Sequence, residues 1–139
     1  GQYISGRYNP GIWSYNYQEN SWKEETYANA KLIPPARYWQ GASLNSSNST
    51  LLIFGGQSGM GFIGDTWIYD ILSSTWKNIE SKQLPEPPPR VNGAVAYDPK
   101  EDVFVLFGGL GDDMTDFKDT WIFKEGAGGG VWSAVTSKE

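Results

Sequence analysis

The feature that most constrains this chain is a spacing. Trp13 recurs as Trp67 and Trp121, 54 residues apart each time, and Trp22 recurs as Trp76 and, two residues late, as Trp132. Gly55-Gly56 recurs as Gly108-Gly109 and Arg37 as Arg90, each shifted by 53. A fixed period of this size marks repeated supersecondary units, none of which buries its apolar face without a neighbour. The 139 residues hold about two and a half such units.

Each unit reads as four short strands. In the clearest copy, Val91 to Tyr97 suits an inner strand, and Asp98 to Asp102 carries turn chemistry. Val103 to Phe107 is an apolar run of strand length ended by Gly108-Gly109. A polar connection from Leu110 to Lys118 leads into the alternating Asp119 to Phe123, a glycine-rich turn, and a last strand from Val131 to Val135. The preceding copy has the same order: Tyr38 to Leu44, an Asn/Ser turn, Leu51 to Phe54, Gly55-Gly56, Asp65 to Asp70, and Thr75 to Ile79. The first copy supplies only its back part, Ile12 to Tyr17 and Ser21 to Lys23. Proline-rich links between copies should cross between sheets, because proline cannot donate to a ladder.

An apolar strand, a glycine pair, a connection, Asp-Thr-Trp-Ile-Tyr-Asp, a turn and Thr-Trp together resemble the kelch repeat. The resemblance implies an all-β fold: kelch-type β-propeller blades of four antiparallel strands around a channel. The boundaries are a partial blade over 1–33 and blades over 34–86 and 87–139. The pattern departs from the family at Tyr3-Ile4-Ser5-Gly6, which stands where the first apolar strand and glycine pair belong. Lys124 replaces the Asn16 and Asp70 of the earlier copies, and the last Trp-to-Trp interval is two residues longer. A propeller typically closes with four to eight blades. The expectation is therefore an incomplete propeller, a segment of a larger ring or one completed by other chains. The start at Gly1, without Met or a signal peptide, agrees with a processed or excised piece.

Composition excludes several chemistries. The net charge is −5 with no run of Lys or Arg, which disfavours nucleic acid and anionic membrane surfaces. No apolar run approaches the ~20 residues of a membrane span. There is no His and no Cys. Zinc sites built on imidazole or thiolate, and Ser-His, Cys-His or His general-base catalysis, are excluded within this chain. No cofactor is called for. Lack of Cys permits either redox compartment; a cytoplasmic setting is slightly favoured, and an extracellular one stays open.

The candidate contacts follow from the resemblance. In kelch propellers the position of Arg37 and Arg90 lies at a channel mouth, where some members bind acidic peptide motifs. Carried over, the set is Arg37, Tyr38, Trp39, Arg90 and Asn92, with each Arg able to grip a carboxylate. The other reading of Arg37 and Arg90 is a repeating structural arginine bonded to backbone carbonyls between blades. The connections Gln57 to Gly64 and Leu110 to Lys118 differ in sequence, and Met60 and Phe62 are candidates for an apolar contact there. Asp112, Asp113, Asp116 and Asp119 form an acidic cluster, conceivable for calcium but without EF-hand spacing; a solvated loop is the simpler reading, and Asp119, matching Asp65, reads as structural. Asn45 and Asn48 open two glycosylation sequons in one turn.

The expected function is a non-catalytic protein-protein interaction module with a protein partner, or one that self-associates or joins the remaining blades of a parent chain. The alternative is a segment of a kelch-fold carbohydrate-active enzyme. Copper-radical oxidases and iron-dependent specifier proteins of that fold need His or Cys; sugar isomerases do not. A structural subunit of a surface or cytoskeletal assembly is a third reading.

Overall fold

The computed structural model describes residues 11–25, 27, 29, 31–80 and 85–136. They form twelve strands and no helix. β1 (Trp13–Asn16) and β2 (Ser21–Glu24) pair as a hairpin. The second blade comprises β3 (Gly41–Asn45), β4 (Thr50–Phe54), β7 (Thr66–Asp70) and β8 (Thr75–Ile79), in that spatial order. Between β4 and β7 lies the small hairpin of β5 (Gln57–Ser58) and β6 (Gly61–Phe62). The third blade orders β9 (Ala94–Asp98), β10 (Val103–Phe107), β11 (Thr120–Gly126) and β12 (Gly129–Val135) consecutively. All strand pairs within the blades are antiparallel. These sheets do not close into a ring. The stretch Tyr3 to Gly6 lies outside the described residues.

One turn design closes four of the hairpins. Asn16, Asn45, Asp70 and Asp98 each end a strand and accept, through Oδ1, the N–H groups two and three residues ahead. Four residues after each comes one with positive φ: Asn20, Ser49, Ser74 and Asp102. The side chain satisfies the turn's donors, and the left-handed residue returns the chain to the ladder. Lys124 has no acceptor to offer at this position. There the strands continue for two more residue pairs, to Gly126 opposite Gly129. This accounts for the longer tryptophan interval. Glu125 on the extension also reaches the second blade, accepting from the Thr50 hydroxyl at 2.8 Å.

Alternation along the strands splits each blade into two faces. Leu52, Phe54, Ile68 and Ile79 of the second blade meet Phe104, Leu106, Trp121, Phe123 and Trp132 of the third in the main core. The Trp132 ring packs edge-on against Phe54 at 5.3 Å, and its indole N–H donates to Thr66 Oγ1 at 2.8 Å. Burying rings of this size stabilises by about 2–3 kcal/mol each. The opposite face of the second blade gathers Ile53, Trp67, Tyr69 and Trp76 with Ile12, Tyr27 and Ile33. Ile12 stands where the repeat would place the counterpart of Thr66. Trp76 Nε1 is buried beside the Tyr27 hydroxyl, with no hydrogen bond of standard geometry among the described residues.

The inner strands are shorter than the sequence suggests. They begin at Gly41 and Ala94, not at Tyr38 and Val91. Tyr38 and Val91 instead make isolated bridges to Gln57 and Leu110. The cause is positive φ one residue later, at Trp39 and Asn92, which breaks the extended run.

Candidate functional site: the loop end of the blades

The strand order separates two ends. Within each four-stranded blade, the first-to-second and third-to-fourth turns lie at one end. The proline links and the second-to-third connections lie at the other, because neighbouring strands run antiparallel. The first end carries mainly short turns of one design. The second carries every candidate contact residue named from the sequence.

Arg37 and Arg90 are the frame of this end. Each guanidinium is buried. Arg90 forms a fork with Asp119, Nη2 to Oδ2 at 2.8 Å, and donates to the carbonyls of Pro88 at 3.1 Å and Gly108 at 3.0 Å. Arg37 repeats the set with Asp65, Pro35 and Gly55. The same carboxylates accept the indole N–H of Trp67 at 2.7 Å and of Trp121 at 2.6 Å. Arg90 also lies 3.9 Å from the centroid of the Phe117 ring. Hydrogen bonding from Arg90 holds the Asp119 carboxyl below its usual range. The expectation that these arginines grip a partner's carboxylate is therefore corrected. Each grips the aspartate of its own blade, and the carbonyls it reaches lie in that blade, not between blades.

The glycine pairs belong to the same frame. Gly55 and Gly56 have φ of 66° and 99°, and a Cβ on Gly55 would sit 2.6 Å from the Arg90 carbonyl oxygen. The Gly56 N–H donates to that carbonyl at 2.8 Å, and the Asn92 N–H donates to the Trp39 carbonyl at 2.9 Å. These two bonds tie the second blade to the third.

What remains at the surface is apolar and acidic. Trp39 is 54% exposed, its ring edge-on to Tyr38 at 4.6 Å, and its backbone has φ of 58°. A bulky residue in this region is an outlier, held by the Asn92 hydrogen bond. Met60, at the tip of the β5–β6 hairpin, is 91% exposed. Met114, in the equivalent connection of the third blade, is 73% exposed. Phe62, paired with Gln57 across the hairpin, is half-buried, and Asn92 is exposed. Asp112, Asp113 and Asp116 are exposed beside Met114. Asp113 accepts the Thr115 N–H at 2.9 Å, and hydrogen bonds from Thr115 lower its pKa. A cleft of about 280 Å³ lies here, lined by Pro88, Pro89, Asp112, Asp113 and Phe117 among others. No group of three or more acidic side chains among the described residues is placed to hold a metal ion.

The two sequons separate. Asn45 is buried and its side chain caps its turn, so the folded chain does not offer it as a glycan acceptor. Asn48 is exposed. Sequence reasoning missed Met114, although it stands 54 residues after Met60. It also missed that the repeating Arg and Asp are partners, although each recurs once per repeat, Arg after 53 residues and Asp after 54.

Four-stranded antiparallel blades, stacked face to face with glycine pairs and an Arg-Asp-Trp set at one end, define a blade-repeat β protein of the propeller class. The chain belongs to the KLHDC2/KLHL20/DRC7 Kelch-repeats domain family, whose model matches residues 1–139. It is 31% identical over 127 residues to tRNA wybutosine-synthesizing protein 4 of Aspergillus fumigatus, covering 87% of this chain and 12% of that protein. It is 36% identical over 98 residues to an F-box/kelch-repeat protein of Arabidopsis thaliana, covering 64% of this chain and 20% of that one. A third match, 29% identical over 119 residues, is to the flagellar outer-arm dynein alpha chain of Chlamydomonas reinhardtii and spans 85% of this chain but 2% of the dynein. The chain thus spans a small part of each relative's length.

Proposed function

We propose that this chain is a non-catalytic protein-binding module, an arc of a kelch propeller that offers its loop end to a protein partner. The observation that carries this reading is the side-chain set Trp39, Met60 and Met114, three large apolar groups in solvent at one end of a rigid scaffold. Exposed apolar side chains on connections that differ from blade to blade suit recognition better than folding. Methionine adapts its shape to a partner surface, and tryptophan supplies buried area on contact. The Arabidopsis relative, named for an F-box and kelch repeats, supports a kelch unit used beside other functional parts.

The test uses a partner captured by the native chain from its own cells and then purified. Met60→Ser with Met114→Ser should weaken its affinity at least tenfold. Leu72→Ser, on an exposed turn at the other end, should leave affinity unchanged. Equal loss from both ends would refute the reading.

A second reading has one observation in its favour. The Aspergillus relative is named for tRNA wybutosine synthesis, and the match covers 12% of it. On this reading the chain is a blade segment of a larger enzyme whose catalytic residues lie outside it. Transfer of the partner-binding defect to the activity of the parent enzyme would favour it.

A further inference from the structure

The cleft at the loop end lies between the proline link, Pro88 and Pro89, and the connection that holds Gly111, Asp112, Asp113 and Phe117. Its volume is about 280 Å³, below the roughly 300 Å³ at which pockets for drug-sized ligands begin. The space suits a single side chain. Its walls are apolar and stiff. The prolines fix their own backbone, and a Cβ on Gly64 of the second blade would lie 3.0 Å from the Pro89 nitrogen, so the link is seated on that blade. The Phe117 ring is pinned by the buried Arg90 guanidinium, 3.9 Å from its centroid. At Gly111 a Cβ would lie 3.0 Å from Asp113 Oδ1 and 3.2 Å from a Phe117 ring carbon, so this wall has no room for a side chain of its own.

The rim is anionic. Asp112 and Asp113 both line the cleft and are exposed. Asp112 makes no hydrogen bond or ion pair among the described residues. The connection Leu110 to Lys118 holds three Asp against one Lys. The blade itself does not require these groups. The matching connection of the second blade, Gln57 to Gly64, carries no charged residue, and Ile63 stands where Phe117 does, 54 residues earlier. Both blades nonetheless keep the same Arg-Asp-Trp frame. The carboxylates and the ring are additions to a shared scaffold, at the end where recognition is commonly carried.

An occupant must lay an apolar stem against Pro88, Pro89 and Phe117 and bring a positive end to the carboxylates. Lysine and arginine are the side chains that combine the two. We propose that this cleft receives a lysine or arginine side chain of the protein partner, its stem along the prolines and Phe117 and its cationic head on Asp112 and Asp113. The inference rests on the reading of the loop end as a protein-binding surface and gives the partner a charge: a basic residue next to the apolar contact made by Met114. Its sign is opposite to that of the acidic motif implied by the family resemblance.

The experiment has two arms. In the first, amide signals of the isotope-labelled chain are followed by NMR during titration with the Nα-acetyl methylamides of arginine, lysine, norleucine and glutamate. The arginine or lysine probe should move the amides of Asp112, Asp113, Thr115 and Phe117 along a saturating curve that weakens as salt is added. Norleucine, which has a stem without a charge, and glutamate should not. Asp112→Asn with Asp113→Asn should weaken the cationic probe at least fivefold. Asparagine keeps an acceptor for the Thr115 N–H, so the turn is preserved, and unshifted amides elsewhere confirm the fold. In the second arm the same double variant should weaken the affinity of the captured partner at least tenfold and flatten its salt dependence. Absence of a saturating shift with both cationic probes overturns the proposal, as does an equal shift with norleucine. So does a partner that binds the double variant as tightly as the native chain; if it is still lost on Met60→Ser with Met114→Ser, the protein-binding reading stands without this cleft. A partner indifferent to the methionine changes sinks that broader reading instead, and the probe titration then decides the cleft by itself.

Discussion

Arg90 and Asp119 show how a functional-looking residue is spent on structure. The Arg90 side chain is fully buried and Asp119 about one-third exposed. Removing the carboxylate strands a guanidinium out of water, so Asp119→Asn should cost about 3 kcal/mol of stability, read by urea unfolding. The same pair sets an acid limit. Hydrogen bonding from Arg90 lowers the folded-state pKa of Asp119 below its unfolded value near 3.9. Its contribution is therefore fully present above pH ~4–5 and lost as pH falls through the lower folded-state value. Asp119→Asn should flatten the acid limb of stability against pH between about 5 and 2; an unchanged limb would assign the acid sensitivity elsewhere. Trp39 makes the opposite point, since its backbone serves the fold and its side chain does not. Trp39→Gly should alter stability by under about 1 kcal/mol, because glycine accepts positive φ. Trp39→Val should cost about 1–2 kcal/mol in thermal or urea unfolding, since a branched side chain resists that conformation.

Hairpins and blades were largely legible because their determinants are local. The apolar run Val103 to Phe107, the glycine pairs and the Asx-type turn residues each act within a few positions, and the strands lie where they point. The inner strands were read three residues too long at each start. That boundary is set by positive φ at Trp39 and Asn92, held by hydrogen bonds across the blade junction, and no local propensity announces it. The candidate site was half legible. The loops that carry Met60 and Met114 stand out as dissimilar connections. The fate of Arg37 and Arg90 depends on partners 28 and 29 residues away, visible only once the sheet folds back. The turn design itself is testable. Asp98→Ala should cost about 1 kcal/mol by removing the acceptor of the Lys100 and Glu101 N–H groups. The same change at the solvent-facing Lys124, whose turn uses no such acceptor, should lie within about 0.5 kcal/mol.

At the scale of the whole molecule, one interface repeats and one end varies. The repeating interface is specified by apolar alternation, and the hydrogen bond from Trp132 to Thr66 joins the Gly56–Arg90, Asn92–Trp39 and Thr50–Glu125 bonds in fixing the approach of one blade to the next. Thr66→Val with Trp132→Phe should show a coupling of about 1 kcal/mol in a double-mutant cycle, whereas additivity would mean that the bond contributes nothing to docking. The varying end holds the apolar side chains that the fold leaves in solvent. The most direct measurement of its role is site-specific photocrosslinking in extracts of the protein's own cells. A photoreactive side chain is placed singly at Met60, Met114, Asn48 or Leu72. Crosslinks to one partner from Met60 and Met114, with none from Asn48 and Leu72, are the predicted result. Crosslinks from Asn48 and Leu72 alone would place recognition at the turn end and contradict this account.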